Sequence, residues 1–274
     1  MTSSEQRRNR ASDWQPKPPA KWFYAGFQTF LKRFLRKNFH GVVLAKDSSL
    51  DVSLAAGRPI IIYVNHPSWW DPLIAHFLNQ RLFPERDFFA PIDAEALAKY
   101  RVFARLGFFG VQLSSTSGTA QFLSRSAAVL ERSNAALWLT PEGRFADSRD
   151  RTAELMPGLA HLCRKHDSPL VVPMAMEYAF WNERLPMCFA AFGKFIDCQQ
   201  HPDWDKATWH QNLTTALRGT QQHLESLVIQ RCDTNFQSVL QGDVGGGAVY
   251  DSFRRVKAML TGKQFEGQHG EHFQ

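Results

Sequence analysis

PIIIYVNHPSWWDPLIAHFLNQRLF, residues 59–83, sets an apolar run, a polar and aromatic loop and a helix-patterned stretch in succession. Ile60 to Val64 is short and rich in branched residues, which favours a buried strand over a helix. Pro72 to Phe83 has helical patterning. Asp71 and Pro72 read as its start, because Asp is favoured at an N-cap and Pro at the first helical position. A strand, a loop and a helix in that order make one β–α step of a layered fold.

The same alternation continues on both sides of this segment. Gly41 to Ala45, Asp87 to Ile92, the FGVQLS stretch that follows Phe108, Ala135 to Thr140, Pro169 to Tyr178 and Met187 to Gly193 read as strands. Asp93 to Gly107 and Ala120 to Arg132 read as helices, and a further helix starts or is interrupted at Pro157. After Asp203 a helical pattern runs to about Leu240. The expected fold is α/β: a mainly parallel central sheet flanked by helices, with an N-terminal amphipathic helix and a C-terminal helix.

The ends differ in character from this middle. Residues 1–20 are polar, basic and proline-containing, and read as a flexible lead-in without the apolar core of a secretory signal. Residues 21–40 contain WFYAGFQTFLKRFLRKNF. Phe23, Phe27, Phe30 and Phe34 recur at helical spacing, with Lys32, Arg33, Arg36 and Lys37 on the other side. A basic amphipathic helix of this kind can dock at an anionic membrane surface, or pack on a core with its charges in water. Residues 41–241 form the expected main domain, and 242–274 a flexible linker and tail opened by GDVGGG.

The formal net charge of +6 among 274 residues favours an anionic partner, and the 22 Phe and 8 Trp suit an apolar ligand or a bilayer interface as well as a core. No helix-turn-helix, zinc or RNA-binding signature is present, so nucleic acid is not expected as the partner. Cys163, Cys188, Cys198 and Cys232 match no zinc spacing and read as buried free thiols. No uninterrupted apolar stretch is long enough for a transmembrane helix.

Two readings of the loop Asn65–Asp71 stand side by side. It is a capped helix start with a bulky apolar plug, or a proton-transfer pair at a strand end, where open α/β sheets place ligands. In the second reading a neutral imidazole at His66 takes a proton from an attacking hydroxyl, and Asp71 holds its other ring N–H. The nearby helix N-terminus would offer N–H groups to a developing oxyanion. LTPEGRFAD, residues 139–147, follows another apolar run and forms a second strand-end loop. Glu142 there fixes the loop or binds a polar acceptor, and Arg144 is able to pair with a phosphate.

Taken together, the His-x4-Asp of His66 and Asp71, the Pro-Glu-Gly of 141–143 and VVPMAMEY around Pro173 resemble the glycerolipid acyltransferases. This is the family of the lysophosphatidate (1-acylglycerol-3-phosphate) acyltransferases. LGFFGV (106–111) falls where the family has its second block, and FGKFI (192–196) where its last element is expected. The resemblance covers about residues 41–196.

It implies a membrane-associated O-acyltransferase that moves a fatty acyl group from acyl-CoA or acyl-carrier-protein to a hydroxyl of a lysophospholipid or related lipid. His66 would be the general base and Asp71 its orienting partner. Glu142, Gly143 and Arg144 would bind the acceptor, with Trp69 and Trp70 at the mouth of the lipid site, and Pro173 mainly structural. No metal or redox cofactor is implied. The expected place is peripheral, on the cytoplasmic face of a membrane.

Two positions depart from the family pattern. The second block lacks its arginine, since Gly110-Val111-Gln112-Leu113 runs into Ser114. The third reads Pro-Glu-Gly-Arg-Phe, so Arg144 stands one place early and Phe145 occupies the usual arginine position. Arg101, Arg105 and Arg125 are the candidates to compensate. A less charged acceptor, such as a glycolipid or glycosylated carotenoid hydroxyl, is the alternative, and a non-catalytic lipid-binding module is the reading from another class.

Overall fold

The structure is a computed structural model, and it describes residues 14–48, 50, 52–112 and 116–242. Fifteen elements carry the fold. They are α1 (Lys21–Asn38), β1 (Gly41–Ala45), β2 (Ile60–Val64), α2 (Asp71–Leu82), β3 (Asp87–Asp93), α3 (Ala94–Lys99), β4 (Phe108–Val111), α4 (Thr116–Leu130), β5 (Ala135–Leu139), α5 (Gly158–Lys165), β6 (Leu170–Ala179), β7 (Met187–Phe192), β8 (Ile196–Asp197), α6 (Lys206–Gln230) and β9 (Phe236–Gln241).

The strands form one sheet in the order β4-β3-β5-β2-β6-β7-β1-β9, with β8 paired to β6. From β4 to β6 neighbouring strands are parallel. β7 turns against β6, β1 lies parallel to β7, and β9 closes the far edge antiparallel to β1. β2 and β5 are buried at every position, as strands covered on both faces must be. Ile60, Ile62 and Val64 face a cluster with Leu31 and Leu35 of α1 and Ile74 and Leu78 of α2. Ile61 and Tyr63 face the other, with Leu159 of α5 and Leu213 of α6. The expected α/β fold with a mostly parallel sheet is the one observed.

Three boundaries differ from expectation. The pattern after Asp203 stops being helical at Gln230, and Phe236–Gln241 forms the edge strand β9 instead of more helix. Arg231, in the left-handed region at φ 53°, ends α6. The helix expected over 93–107 divides into α3 and a 3-10 turn at Arg101–Leu106. Gly107 closes that turn at φ 93°, and a side chain there would strike the carbonyl of Phe88, so the strand β4 can start only after a glycine.

Residues 14–20 run along the domain. Trp14 packs against Phe109, with ring centres 5.5 Å apart, and Pro19 is buried beside Gly107. α1 is held by Leu31 and Leu35 and by the partly buried Phe23, Tyr24 and Phe27. Most of its apolar stripe is therefore spent on the core, while Trp22 and Phe30 stay exposed. The expected linker and tail lie outside the described residues from 243 onward. Among the described residues no helix is long and apolar enough to cross a membrane.

Candidate active site

β2 and β5 are adjacent and parallel, so their C-terminal ends bring the two predicted loops together. His66 stands two residues beyond β2. Its Nδ1 lies 2.6 Å from Oδ2 of Asp71. A carboxylate there accepts the Nδ1–H, which leaves the lone pair of a neutral ring on Nε2. The Asp71 side chain is almost fully buried, and the His66 side chain keeps 19% of its surface exposed. The pair thus has a buried orienting member and an accessible one.

Asp71 is fixed from three directions. Besides His66, its Oδ2 accepts the Ser68 backbone N–H at 3.0 Å, and its Oδ1 accepts the Tyr178 hydroxyl at 2.6 Å. Tyr178 is on β6 beyond the end of β2. Burial and the Asp71 charge push its pKa well above the usual phenol value, so it stays a donor. The expected N-cap role of Asp71 is not what the geometry gives. Asp71 is the first residue of α2, and its carboxylate reaches back to Ser68 instead of forward into the helix. The N–H groups at the helix start are also engaged: Asp71 N–H with the Ser68 carbonyl, Leu73 and Ile74 N–H with that of Trp70. Pro72 has none. An oxyanion role for this turn is therefore not supported.

Of the two roles expected of Glu142, fixing its loop and binding a polar acceptor, the geometry gives the first. Its side chain is 1% exposed. Oε2 accepts the His66 backbone N–H at 3.1 Å, and Oε1 accepts from Arg218 of α6 at 2.7 Å. Arg218 also donates to Gln221 Oε1 and to the Ala153 carbonyl. Both carboxylate oxygens are thereby committed inside the protein, and the role this gives Glu142 is to hold the His66 loop. The Ala146 N–H closes the connection by donating to the His66 carbonyl at 3.0 Å. Gly143 adopts φ 65°, and a Cβ there would stand 2.5 Å from Met156 Sδ, so this position shapes the turn.

The mouth is aromatic. Phe145, at the position usual for an arginine, lies over the His66 ring with centres 4.4 Å apart and is 58% exposed. Trp69 stacks on Trp70 at 4.3 Å, and Trp70 meets Phe34 of α1, which stacks on Phe30. Trp70 is also half-buried against Phe39, so it serves the core, while Trp69 is exposed. Arg144 is exposed, 3.8 Å from Asp150. The other basic candidates lie by β4: Arg105 over the Phe23 ring, Arg125 against Trp14 and the Gly110 carbonyl, and Arg101 exposed. Pro173 pairs with Tyr63 within the sheet, and its carbonyl accepts the Gly193 N–H at 2.9 Å. No cluster of metal-ligating side chains occurs among the described residues.

Tyr178, Arg218 and the buried Asn65 are the participants that sequence reasoning left without a role. Asn65 grips β6 with both ends of its amide, donating to the Met176 carbonyl at 2.9 Å and accepting its N–H at 2.8 Å. The strand-end positions of Tyr178 and Asn65 were a usable signal. Arg218, 76 residues beyond Glu142 on a separate helix, gave none.

A search of curated proteins returned no match. Residues 45–177, which run from the end of β1 through both strand-end loops to β6, match the family model described as Acyltransferase. They form an acyltransferase domain, in line with the resemblance to the glycerolipid acyltransferases that the two strand-end loops carry.

Proposed function

We propose that the protein is a membrane-associated O-acyltransferase that moves a fatty acyl group from a thioester, acyl-CoA or acyl-carrier-protein, to the hydroxyl of a lysophospholipid or related lipid. The observation that carries this reading is the His66–Asp71 contact of 2.6 Å at an aromatic mouth. His66 Nε2 accepts the proton of the acceptor hydroxyl as its oxygen attacks the thioester carbonyl carbon. The tetrahedral adduct collapses with loss of the C–S bond, and His66 returns the proton to the leaving thiolate. Asp71 keeps the ring in the required tautomer, and Tyr178 and Glu142 keep Asp71 and the His66 backbone in place.

Membrane association is supported by the run Phe30, Phe34, Trp70 and Trp69, which leads from α1 to the His66 loop. Lys32, Arg33, Arg36 and Lys37 on the same helix are placed for anionic headgroups. A second acceptor class, the hydroxyl of a glycolipid or glycosylated carotenoid, is favoured by Phe145. An aromatic ring, not a guanidinium, covers the base, so a phosphate monoester next to the reacting hydroxyl would meet no fixed cation from that position.

The test is transfer of labelled acyl groups from acyl-CoA and acyl-carrier-protein to a panel of lysolipids and glycolipids, with products identified by mass spectrometry. Transfer that His66→Ala lowers by about a thousandfold is expected, within the range for a general base and its partners. Transfer undiminished in His66→Ala refutes the mechanism. Liposome binding without transfer to any acceptor would instead make the chain a lipid-binding module.

A further inference from the structure

A hollow lies apart from His66, against the edge strand β4. It encloses about 650 Å3 and is lined by Trp14 and Lys17 of the N-terminal segment, Leu97 and Arg101 beyond β3, Phe109 of β4 and Arg125 of α4, among others. Three cations and no aspartate or glutamate face it. Apart from Gln15, its other side chains are aromatic and aliphatic.

Arg125 is the least compensated of the partly buried arginines. Arg58, Arg132, Arg151 and Arg218 each meet a carboxylate within 2.9 Å. Arg86, also without a carboxylate, donates to the carbonyls of Ala55, Arg58, Ser133 and Ala135. Among the described residues Arg125 meets only the Gly110 carbonyl and the face of Trp14, 5.5 Å from the ring centre. No carboxylate among the described residues pairs with it. A guanidinium has five N–H donors, and desolvating it without an anion is unfavourable. Burial accordingly lowers the Arg125 pKa, the direction an arriving anion reverses. Lys17 and Arg101, both exposed, stand at the rim.

We propose that this cavity binds a phosphate ester carried on a flat or apolar body, with Arg125 as its anchor and Lys17 and Arg101 as rim contacts. Phosphate matches the planar fork of arginine, and Trp14, Phe109 and Leu97 match the body. The volume is in the range of small-molecule sites, roughly 300–1,000 Å3. β4 lies three strands from β2, or about 14 Å at ordinary strand spacing. That separation is one the pantetheine arm of a coenzyme A thioester bridges, which makes the nucleotide end of the donor one source of the phosphate. A lysolipid phosphate is the other. Naming the donor as a source rests on the acyl-transfer reading; the phosphate site itself does not.

The full chain is titrated calorimetrically with coenzyme A, with lysophosphatidate below its micelle concentration, and with inorganic phosphate. Coenzyme A or lysophosphatidate should bind, and whichever does identifies the source. Arg125→Met should weaken it by about ten- to a hundredfold, the size of a charge-assisted contact. The rim pair Lys17→Ala and Arg101→Ala, which leaves the interior untouched, should weaken it severalfold and reduce its salt dependence. His66→Ala should bind unchanged. Binding by neither ligand, binding indifferent to both the Arg125 and rim variants, or inorganic phosphate binding as tightly as either ester overturns the proposal. If Arg125-dependent binding is found but no acyl transfer, the site stands and the catalytic reading falls. If transfer is found but donor KM and lysophosphatidate affinity are unmoved by these variants, the catalytic reading stands and the site falls.

Discussion

His76 should make this protein acid-labile. It stands on α2, five residues after Asp71, and is fully buried. Its ring stacks on Phe88 at 3.7 Å and meets Phe27 and Phe108 edge-on. Nδ1 is 3.5 Å from the Tyr24 hydroxyl, and Nε2 has no hydrogen-bond partner among the described residues. Burial alone lowers its pKa from 6.5 to about 3. Between those values the unfolded chain binds a proton that the folded chain refuses. Stability is then full above pH 6.5 and falls as the pH drops toward 3.

The loss is about 1.4 kcal/mol per pH unit, hence about 2 kcal/mol at pH 5. His76→Phe keeps a ring in the aromatic cage and removes both the titration and the unpartnered nitrogen. At pH 7.5 it should lie within about 1.5 kcal/mol of the parent, the usual cost of a near-isosteric core exchange. Urea unfolding of both proteins at pH 7.5, 6 and 5 isolates the effect, because every other titrating group is common to the two. The difference in unfolding free energy should move by about 2 kcal/mol in favour of the variant between pH 7.5 and 5. A difference independent of pH refutes the reasoning. The variant also serves catalysis. Acid loss of activity in the parent includes the loss of stability through His76, and His76→Phe removes that contribution.

Tyr178→Phe should leave Asp71 Oδ1 buried without a donor and lower kcat by roughly tenfold with KM little changed; an unaltered kcat would show that His66 and Ser68 alone orient the carboxylate. Arg218→Met should destabilise by about 3–5 kcal/mol in thermal or urea unfolding, because it strands the Glu142 charge, and Glu142→Gln in the same chain should recover much of that; equal instability of the single and double variants would refute the pairing argument.

The fold was legible because its central strands announce themselves. Ile60–Val64 and Gly41–Ala45 were bounded to the residue, since a strand buried on both faces is a pure apolar run ending where the polar loop begins. β9 was not legible. Its pairing with β1 shifts register between Val42 and Val43, so its buried residues Phe236 and Leu240 stand four apart, and FQSVLQ continues an amphipathic helical pattern closely enough to be read as more helix. Within the site, His66 and Asp71 could be read because their spacing is local. Glu142 was placed at the acceptor because its partner, Arg218, is distant in sequence, and only the packing of α6 over the loop brings the two together.

β6 explains why the site can be rigid although it is built on loops. The strand outlasts β2: it pairs with β2 only from Leu170 to Met174, then continues to Ala179 against β7. Where the β2 backbone departs, the Asn65 amide takes over the ladder by exchanging both bonds with Met176. The overhang then supplies Tyr178 to Asp71, while Glu142 from the end of β5 secures the His66 backbone. The turn from His66 to Trp70 is thus tied to its neighbouring strands by side chains, which frees its own backbone to leave the sheet. Loops held this way keep a base within the fraction of an ångström that proton transfer needs. Phe145 and Trp69 above it are exposed, so under the proposed acyl-transfer reading acceptor preference can change there without disturbing the His66–Asp71 pair beneath.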